Sequence, residues 1–300
     1  MVIRLITLLS RLSLSKLYVL SDFVCLLLYR VVGYRRSVVR RNIEASFPEK
    51  SKDELRKIEH DFYHWLCDYF VETLKLLTIT PDELKEHFEM HGLENITRCI
   101  DRGQNVSAFL GHYGNWEWSA AVGNYFDDSH KNIVRGLIYH PLKNKTFEEL
   151  MRRARSSMGG RCIKKQNVLR EIIGCRRDKQ PYLFGYVFDQ TPKMDSIHLW
   201  LDFLNHDTPV FTGAERLSRK YNDAVVFLHF ERPKRGKYIA TFELVSDNLK
   251  DETEYDVTRR CFKMLEEDIR RQPHTYLWSH NRWKRTRENW EEWKRERGME

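Results

Sequence analysis

Residues 105–118 are the most informative stretch for the fold and read Asn-Val-Ser-Ala-Phe-Leu-Gly-His-Tyr-Gly-Asn-Trp-Glu-Trp. The apolar run at the start is typical of a buried strand, and it passes into a turn flanked by Gly111 and Gly114. A helix is predicted to begin near Asn115, since asparagine is a favourable capping residue. His112 then stands at the carboxyl end of a strand, where α/β sheets usually bind their ligands.

Strand-like and helix-like segments alternate through the chain that follows. Short runs rich in Val, Ile, Phe and Tyr predict strands at 105–110, 132–139, 182–188, 224–230 and 238–244. Helices are predicted at 115–122, 147–158, 166–173, 215–220 and 256–271. Ahead of them, the apolar spacing between Ile58 and Leu77 predicts a long helix with one buried face. The alternation favours an α/β fold with a mainly parallel central sheet flanked by helices, preceded by an N-terminal helical region.

The composition is that of a globular chain. The 300 residues are 41% hydrophobic and 31% charged, with a mean hydropathy of -0.61. These values exclude a polytopic membrane protein and a disordered one. Because no internal repeat and no Gly/Ser linker is present, the simplest division is an N-terminal membrane-associating region at 1–48 and one catalytic domain at 49–300.

The N-terminal region combines positive charge with apolar residues. Positions 1–41 contain eight basic residues and one acidic residue, against a net charge of +8 for the whole chain. The apolar stretch 17–33 is interrupted by Asp22 and Arg30 and would reach only about 25 Å as a helix, which is short for a transmembrane span. We therefore predict a monotopic or shallow membrane anchor, with helices that simply pack on the domain as the alternative. Charge alone does not distinguish a lipid leaflet from an acidic protein or a nucleic acid.

His112 and Glu117 form a candidate pair for acid–base chemistry. A neutral imidazole can accept a proton from an attacking hydroxyl, while a carboxylate on its other nitrogen orients the ring. Residues five apart on an ideal helix point about 140° away from each other, so the two side chains can meet only if His112 lies outside the helix. The spacing by itself has no specificity, because chance supplies about one or two such matches in this composition. A histidine that merely bonds to the loop backbone is the alternative.

Two further polar clusters follow predicted elements. Asp189 and Gln190 follow the strand 182–188 and would reach the same sheet edge as His112, either as substrate contacts or as turn formers. Arg152, Arg153 and Arg155 lie on the predicted helix 147–158, where they could hold an anionic group or form a solvated face.

The sequence gives no indication of a metal site or a cofactor. The pairs His60/His64 and His87/His91 have metal-like spacing, but each lacks a convincing third ligand, so polar helix faces are the preferred interpretation. The six cysteines show no Cys-x-x-Cys spacing and are interpreted as reduced thiols.

The C-terminal tail is rich in Trp and basic residues. Four of the eight tryptophans fall at 278, 283, 290 and 293. Trp with Arg and Lys is the composition of a membrane-interface belt and also of a base-stacking surface. No recognition fold for DNA or RNA accompanies it, and we expect no nucleic acid partner.

Several ordered blocks, taken together, resemble a known family. The block Gly-His-Tyr-Gly-Asn-Trp-Glu at 111–117 resembles the active-site motif of the bacterial lipid A biosynthesis acyltransferases, the late lauroyl- and myristoyl-adding type. Further matching blocks are Tyr-Arg-Arg at 34–36 with Asn42, Ser-Phe-Pro at 46–48, Asp-Gln-Thr-Pro at 189–192, 203–205, 208–213 and 278–284.

The resemblance implies an acyltransferase on the cytoplasmic face of a bacterial inner membrane. Such an enzyme moves a fatty acyl chain from a thioester, usually of acyl carrier protein, to a hydroxyl of a lipid A precursor. Carried over residue by residue, His112 is the general base and Glu117 its partner, and Asp189 and Arg155 match further site residues of the family. We also expect Asn115 to contact substrate.

One position departs from the family pattern. Where the family commonly has Tyr-Arg-Pro, this chain has Tyr-His-Pro at 139–141. The missing Arg raises the question of what holds the acceptor's phosphate or the developing oxyanion, and His140, Arg135 or Arg152 could substitute.

No Ser or Cys stands in a Gly-x-Ser-x-Gly elbow, so direct transfer without an acyl-enzyme is predicted. The rival functions are an acyltransferase of the same fold that acts on an aminolipid or glycolipid, and a non-catalytic protein that binds the membrane surface.

Overall fold

The computed structural model describes residues 2–299, and its N-terminal part is helical. Helices α1 (Val2–Leu9) and α2 (Leu14–Leu26) come first, and α2 continues into a π-helical turn, Leu27–Val32. They are followed by α3 (Arg36–Ser46) and the long α4 (Lys52–Lys75). A capping box between Ser51 and Glu54 begins α4 by satisfying amide groups that a helix start leaves unpaired. Along α4, apolar side chains such as Phe62 and Leu66 are buried, as their spacing predicts.

A seven-stranded sheet forms the centre of the rest of the chain. Its strands are β1 (Phe88–His91), β2 (Val106–Leu110), β3 (Val134–Tyr139), β4 (Arg161–Lys164), β5 (Tyr182–Val187), β8 (Ala224–Lys234) and β9 (Lys237–Ser246). The order is β1-β9-β8-β2-β5-β3-β4, and every neighbouring pair is parallel except β8 with β9. A separate antiparallel hairpin contains β6 (Leu199–Phe203) and β7 (His206–Val210). The predicted α/β fold with a mainly parallel sheet is confirmed.

Helices flank the sheet and connect its strands. They are α5 (Pro81–His87), α6 (Glu94–Asp101), α7 (Lys145–Ser156), α8 (Val168–Arg177), α9 (Gly213–Tyr221), α10 (Asp256–Arg271) and α11 (Arg287–Arg295). All five residues of β2 are buried, so this central strand is covered on both faces. The carboxyl ends of β2, β3, β4, β5 and β8 lie at one edge, because these strands run in the same direction.

The segment predicted as a helix at 115–122 has a different geometry. It is a turn followed by a 3-10 helix, Trp118–Asn124. The backbone amides of Trp118, Ser119 and Ala120 bond to carbonyls three residues earlier, and the Asn115 side chain accepts from the Trp118 amide. The positive φ of Gly114 (61°) makes the tight turn possible, and it keeps His112 outside the helix as the sequence predicts.

The N-terminal helices have one buried and one exposed side. Leu14, Leu17 and Cys25 of α2 are buried, whereas Val19 and Phe23 are 72% and 59% exposed. Among residues 2–299, no single helix has the length and apolar character to cross a membrane. The pair Ile3–Leu9 and Leu14–Val32 meets these criteria together, but it is bent by 119°.

Candidate active site

His112 and Asp189 meet at the carboxyl edge of the sheet. Leu110 of β2 is paired directly with Val187 of β5, and each of the two functional residues follows two positions later. The imidazole Nδ1 lies 2.7 Å from Oδ1 of Asp189, which also accepts a hydrogen bond from the His112 amide. Asp189 is 3% exposed and His112 16% exposed as side chains. The carboxylate therefore holds the ring from inside the protein, and the ring's other edge faces outward.

The pairing of His112 with Glu117, expected from the sequence, is not the pairing found. Glu117 is buried and forms a two-pronged ion pair with Arg155, at 2.6 and 2.7 Å. The same carboxylate accepts from the Tyr69 hydroxyl and the Trp116 indole. After the turn the Glu117 side chain points to these groups on α4 and α7, and Arg155 neutralises it there. In the structure, the carboxylate beside the His112 imidazole is therefore that of Asp189.

The second imidazole nitrogen is the one available for proton transfer. Because Nδ1 donates its proton to Asp189, Nε2 carries the lone pair. The Gln190 side-chain nitrogen lies 3.1 Å from Nε2 and donates to it. A substrate hydroxyl that reaches the base must therefore displace this amide.

Both buried carboxylates are held in their charged form. Burial opposes the ionisation of Asp189, but His112, through its charge and hydrogen bonds, and Arg282 together outweigh it and keep the pKa of Asp189 below its usual value. Burial also opposes the ionisation of Glu117, but Arg155 outweighs it and lowers the pKa of Glu117 in the same way. The site thus contains two separate buried carboxylates, one beside an imidazole and one beside a guanidinium.

The C-terminal tail forms backbone hydrogen bonds with the turn that carries His112, a role that the sequence did not predict. The Leu277 amide donates to the carbonyl of His112, and the Gly114 amide donates to that of Thr275. Tyr276 is buried, and burial together with the charge of Asp189 raises the pKa of its phenol well above the usual value. Arg282 is also buried and donates to the Pro209 carbonyl.

The four tail tryptophans differ in their burial. Trp278 is completely buried, and Trp283 is partly buried and stacks on His206 with ring centroids 3.9 Å apart. Trp278 therefore belongs to the core and not to a membrane-interface or base-stacking surface. The block at 278–284, which resembles the corresponding block of the family, is the sequence signal that could have indicated a buried position for Trp278.

The N-terminal block also reaches the tail. Asn42 of α3 donates to the carbonyls of Trp278 and His280, and Arg35 donates to that of Ser279. Two further arginines of this region, Arg36 and Arg40, bind Glu59. Arg41 bonds to Asn281 in addition to these three, so half of the eight basic residues at positions 1–41 bond to other parts of the protein, although Arg35, Arg40 and Arg41 stay exposed.

Within residues 2–299, none of the other predicted substrate contacts hydrogen-bonds to the His112 imidazole. Asn115 is buried and donates to Glu72. Arg135 donates to the Gly159 carbonyl, and Arg152 is paired with Glu149. His140 lies exposed in the loop after β3, near the Pro141 carbonyl.

Two cavities differ in their relation to the site. The larger one, about 580 Å³, is polar and lies at the opposite edge of the sheet, beside Asn105 and Asn222. A small cavity of about 50 Å³ lies on the sheet face next to the turn. It is lined by Leu110, Gly185 and Arg155 together with other mostly apolar side chains, so it reaches the partner of Glu117 and the last residue of the strand that leads to His112.

The chain is similar in sequence to known proteins. The chain is 23% identical over 254 residues to the lipid A biosynthesis palmitoleoyltransferase of Escherichia coli (strain K12), covering 83% of this chain and 79% of that protein. The chain has the same identity to the lipid A biosynthesis acyltransferase of Shigella flexneri, with the same share of each protein covered. The family model described as bacterial lipid A biosynthesis acyltransferase matches residues 1–285. With a match over nearly its whole length, this chain belongs to the bacterial lipid A biosynthesis acyltransferase family and is an acyltransferase.

Proposed function

We propose that this enzyme transfers a fatty acyl chain from a thioester of acyl carrier protein to a hydroxyl of a lipid A precursor. The observation that carries the proposal is the contact between His112 and Asp189 at the carboxyl edge of the sheet. A neutral imidazole fixed by a buried carboxylate is suited to accept a proton from a hydroxyl. The names of the two relatives, both lipid A biosynthesis enzymes, support the acceptor class.

In the proposed reaction, the acceptor hydroxyl attacks the thioester carbonyl directly. The acceptor hydroxyl gives its proton to Nε2 of His112, and its oxygen adds to the thioester carbonyl. The tetrahedral intermediate then collapses, the carbon–sulfur bond breaks, and the imidazolium returns the proton to the leaving thiolate. Asp189 keeps the proton on Nδ1 and stabilises the imidazolium between the two transfers.

No covalent acyl-enzyme is needed for this sequence. Among residues 2–299, no Ser or Cys side chain makes a hydrogen bond to His112. The tetrahedral oxyanion is assigned to backbone amides of the turn, since Arg155 is already neutralised by Glu117. An acyl group that stays on the quenched protein in the absence of acceptor would contradict direct transfer.

The small cavity beside Leu110 is the proposed entry for the acyl chain. Its lining is mostly apolar and includes Gly185, which presents no side chain to it. Its present volume admits only the first carbons, so a longer chain requires the surrounding side chains to move.

The N-terminal helices are proposed to hold the enzyme on the cytoplasmic face of a bacterial inner membrane. Exposed apolar side chains of this region include Leu5, Leu8, Val19, Phe23, Leu26, Val31 and Val32. Such a surface is typical of a protein that binds in the membrane interface. Vesicles of anionic lipid should retain the wild type and release Phe23→Asp/Val31→Asp. Ile173→Asp, an equally exposed apolar position on α8, serves as the control.

Acyl transfer itself is tested in a membrane fraction. A labelled acyl group on acyl carrier protein is offered with a tetra-acylated lipid A precursor, and wild type is compared with His112→Ala. We expect transfer by the wild type and its loss in the variant, with both proteins folded and membrane-bound. If acyl transfer occurs only to an aminolipid or glycolipid of a total lipid extract, that lipid and not a lipid A precursor is the acceptor. If no lipid is acylated, the proposal is overturned.

A further inference from the structure

The positive charge of this protein lies in two places, and only one of them is the N-terminus. Positions 140–165 contain eight basic and two acidic residues, a second concentration comparable to that of positions 1–41. In the rest of the chain, acidic residues outnumber basic ones. The second concentration belongs to the β3–α7–β4 segment, at the end of the sheet order.

Four lysines of this segment lie at the carboxyl edge of the sheet. Tyr139, the last residue of β3, is paired with Lys164, the last residue of β4. Lys143 and Lys145 follow β3, and Lys165 follows β4. These four lysines are exposed, and we refer to them, with Arg152 and Arg153 on α7, as the β3–β4 basic surface. The four lysines therefore share an edge with His112 and Asp189.

The charge of this surface is not balanced by neighbouring acids. Arg152 and Arg153 share the single carboxylate of Glu149. Glu148, the other acid of the segment, accepts from the Tyr139 hydroxyl and the Leu142 amide. Within residues 2–299, none of the four lysines has a carboxylate within 4.0 Å. A partner with negative charge would therefore find unpaired cations here.

Two exposed apolar side chains stand within the same surface. Leu142 and Phe147 are 41% and 40% exposed, and they flank Lys143 and Lys145 in the sequence. An aromatic anchor surrounded by basic residues is the usual chemistry of a protein–protein contact.

The proposed membrane face lies on the other half of the sheet. Helix α2 is attached to the turn between β8 and β9, where Arg235 binds Asp22 of α2 at 2.7 Å. Strands β2 and β5, which carry His112 and Asp189, stand between that turn and the β3–β4 basic surface. The two surfaces therefore flank the site on opposite sides. Since the large group of exposed apolar side chains belongs to the α2 side, the basic side is left for a soluble partner.

We propose that the β3–β4 basic surface docks an acidic protein that carries the acyl thioester. The inference rests on the proposed function, since it names where the donor of that reaction binds. The acceptor would reach His112 from the α2 side and the donor from the β3–β4 side. A protein carrier is favoured over a lipid leaflet because exposed cations here outnumber exposed apolar side chains.

The test compares two donors that carry the same acyl chain, one on acyl carrier protein and one on the small thiol N-acetylcysteamine. In Lys164→Glu/Lys165→Glu, we expect the KM for the carrier-bound donor to rise roughly tenfold at low salt. The KM for the small donor and the kcat for both should stay as in the wild type. Arg102→Glu/Lys250→Glu, which makes the same charge change at the opposite edge, should match the wild type.

The outcomes separate this inference from the function on which it rests. Absence of transfer from both donors by the wild type would contradict the proposed function. Transfer by the wild type with an unchanged carrier KM in the Lys164/Lys165 variant would overturn the docking surface alone. Loss of vesicle binding in that variant, with both donors equally affected, would assign the surface to the membrane and also overturn the inference.

Discussion

His112 and Asp189 each stand two residues beyond a directly paired position of neighbouring parallel strands, and their side chains meet at 2.7 Å between Nδ1 and Oδ1. Parallel pairing brings the ends of strands that are far apart in the chain to the same place. The imidazole is thus held by a residue 77 positions away and not by the carboxylate five positions away. The two acidic residues of the site therefore have different partners, His112 for Asp189 and Arg155 for Glu117.

Asp189→Asn should lower kcat strongly while the protein stays folded. Without the carboxylate, the imidazole loses the group that selects its tautomer and stabilises its cation, and an effect of about 10²-fold or more is expected. Initial rates with saturating donor and acceptor measure it. Asp195→Asn, an exposed aspartate a few residues later, is the control and should keep wild-type rates. A rate for Asp189→Asn within twofold of the wild type would contradict the assignment.

Glu117→Gln should act mainly on stability. It leaves the Arg155 guanidinium, whose side chain is 15% exposed, without its partner, and breaking a buried pair costs about 3–5 kcal/mol. Replacing both residues, as in Glu117→Gln/Arg155→Met, should restore much of the loss because no unpaired charge remains. Denaturant unfolding of the three variants gives the free energies. If Glu117→Gln is as stable as the wild type yet inactive, the carboxylate has a role in the chemistry instead.

Tyr18 links the N-terminal helices to the turn of the site. Its hydroxyl and the Asn115 amide both donate to the buried carboxylate of Glu72, at 2.8 Å each. Tyr18→Phe removes one donor from a buried acceptor, which should cost about 1–3 kcal/mol. Urea unfolding measures this loss, and proteolysis within α2 should become faster. Tyr34→Phe is the matched control, since the Tyr34 ring is 40% exposed; an equal effect of both changes would contradict the link.

Because of Asp223, the free energy of unfolding should fall as the pH rises from about 4 to about 6. Burial raises the pKa of Asp223 from its usual 3.8 to about 6, so the folded state binds a proton in this range that the unfolded state releases. Stability therefore falls through this window, by about 3 kcal/mol, and stays lowered above it. Asp223→Asn, which still accepts from Tyr182, should become more stable relative to the wild type across the same window. Unfolding at pH 4, 5, 6 and 7 checks this, and parallel curves for the two proteins would contradict it.

Gly185→Ala should shorten the preferred acyl chain. A methyl group at this position would meet the Leu137 side chain at 3.5 Å and that of Leu110 at 3.7 Å, which is ordinary contact, so the variant should fold. It would occupy part of the small cavity and disfavour longer chains. Competition between acyl donors of different length gives the selectivity. The control is Gly174→Ala. Its added methyl group meets no atom within 4 Å, and the selectivity for acyl-chain length should not change.

Local pattern in the sequence determined much of the fold. Apolar runs indicated β2, β3, β5, β8 and β9, and helical periodicity indicated α10 with its observed ends. These elements follow from side-chain spacing, which the chain carries without reference to its neighbours. The short strand β1 and the exposed edge strand β4 were missed, as was the β6–β7 hairpin, because runs of four or five residues with charged or polar members have little period to detect.

The sequence also determined that His112 stands outside a helix at the end of a buried strand, and that Asp189 could reach the same edge. Only the tertiary structure decided which carboxylate the imidazole meets. Spacing along the chain favours Glu117, but the register of β2 with β5 brings Asp189 to Nδ1, and Arg155 of α7 engages Glu117. In the same way, the composition around Trp278 suggested a surface, yet its ring is buried and packs against Phe47 and Tyr276. Partner choice depends on contacts between residues distant in the chain, and those contacts exist only after the sheet has assembled.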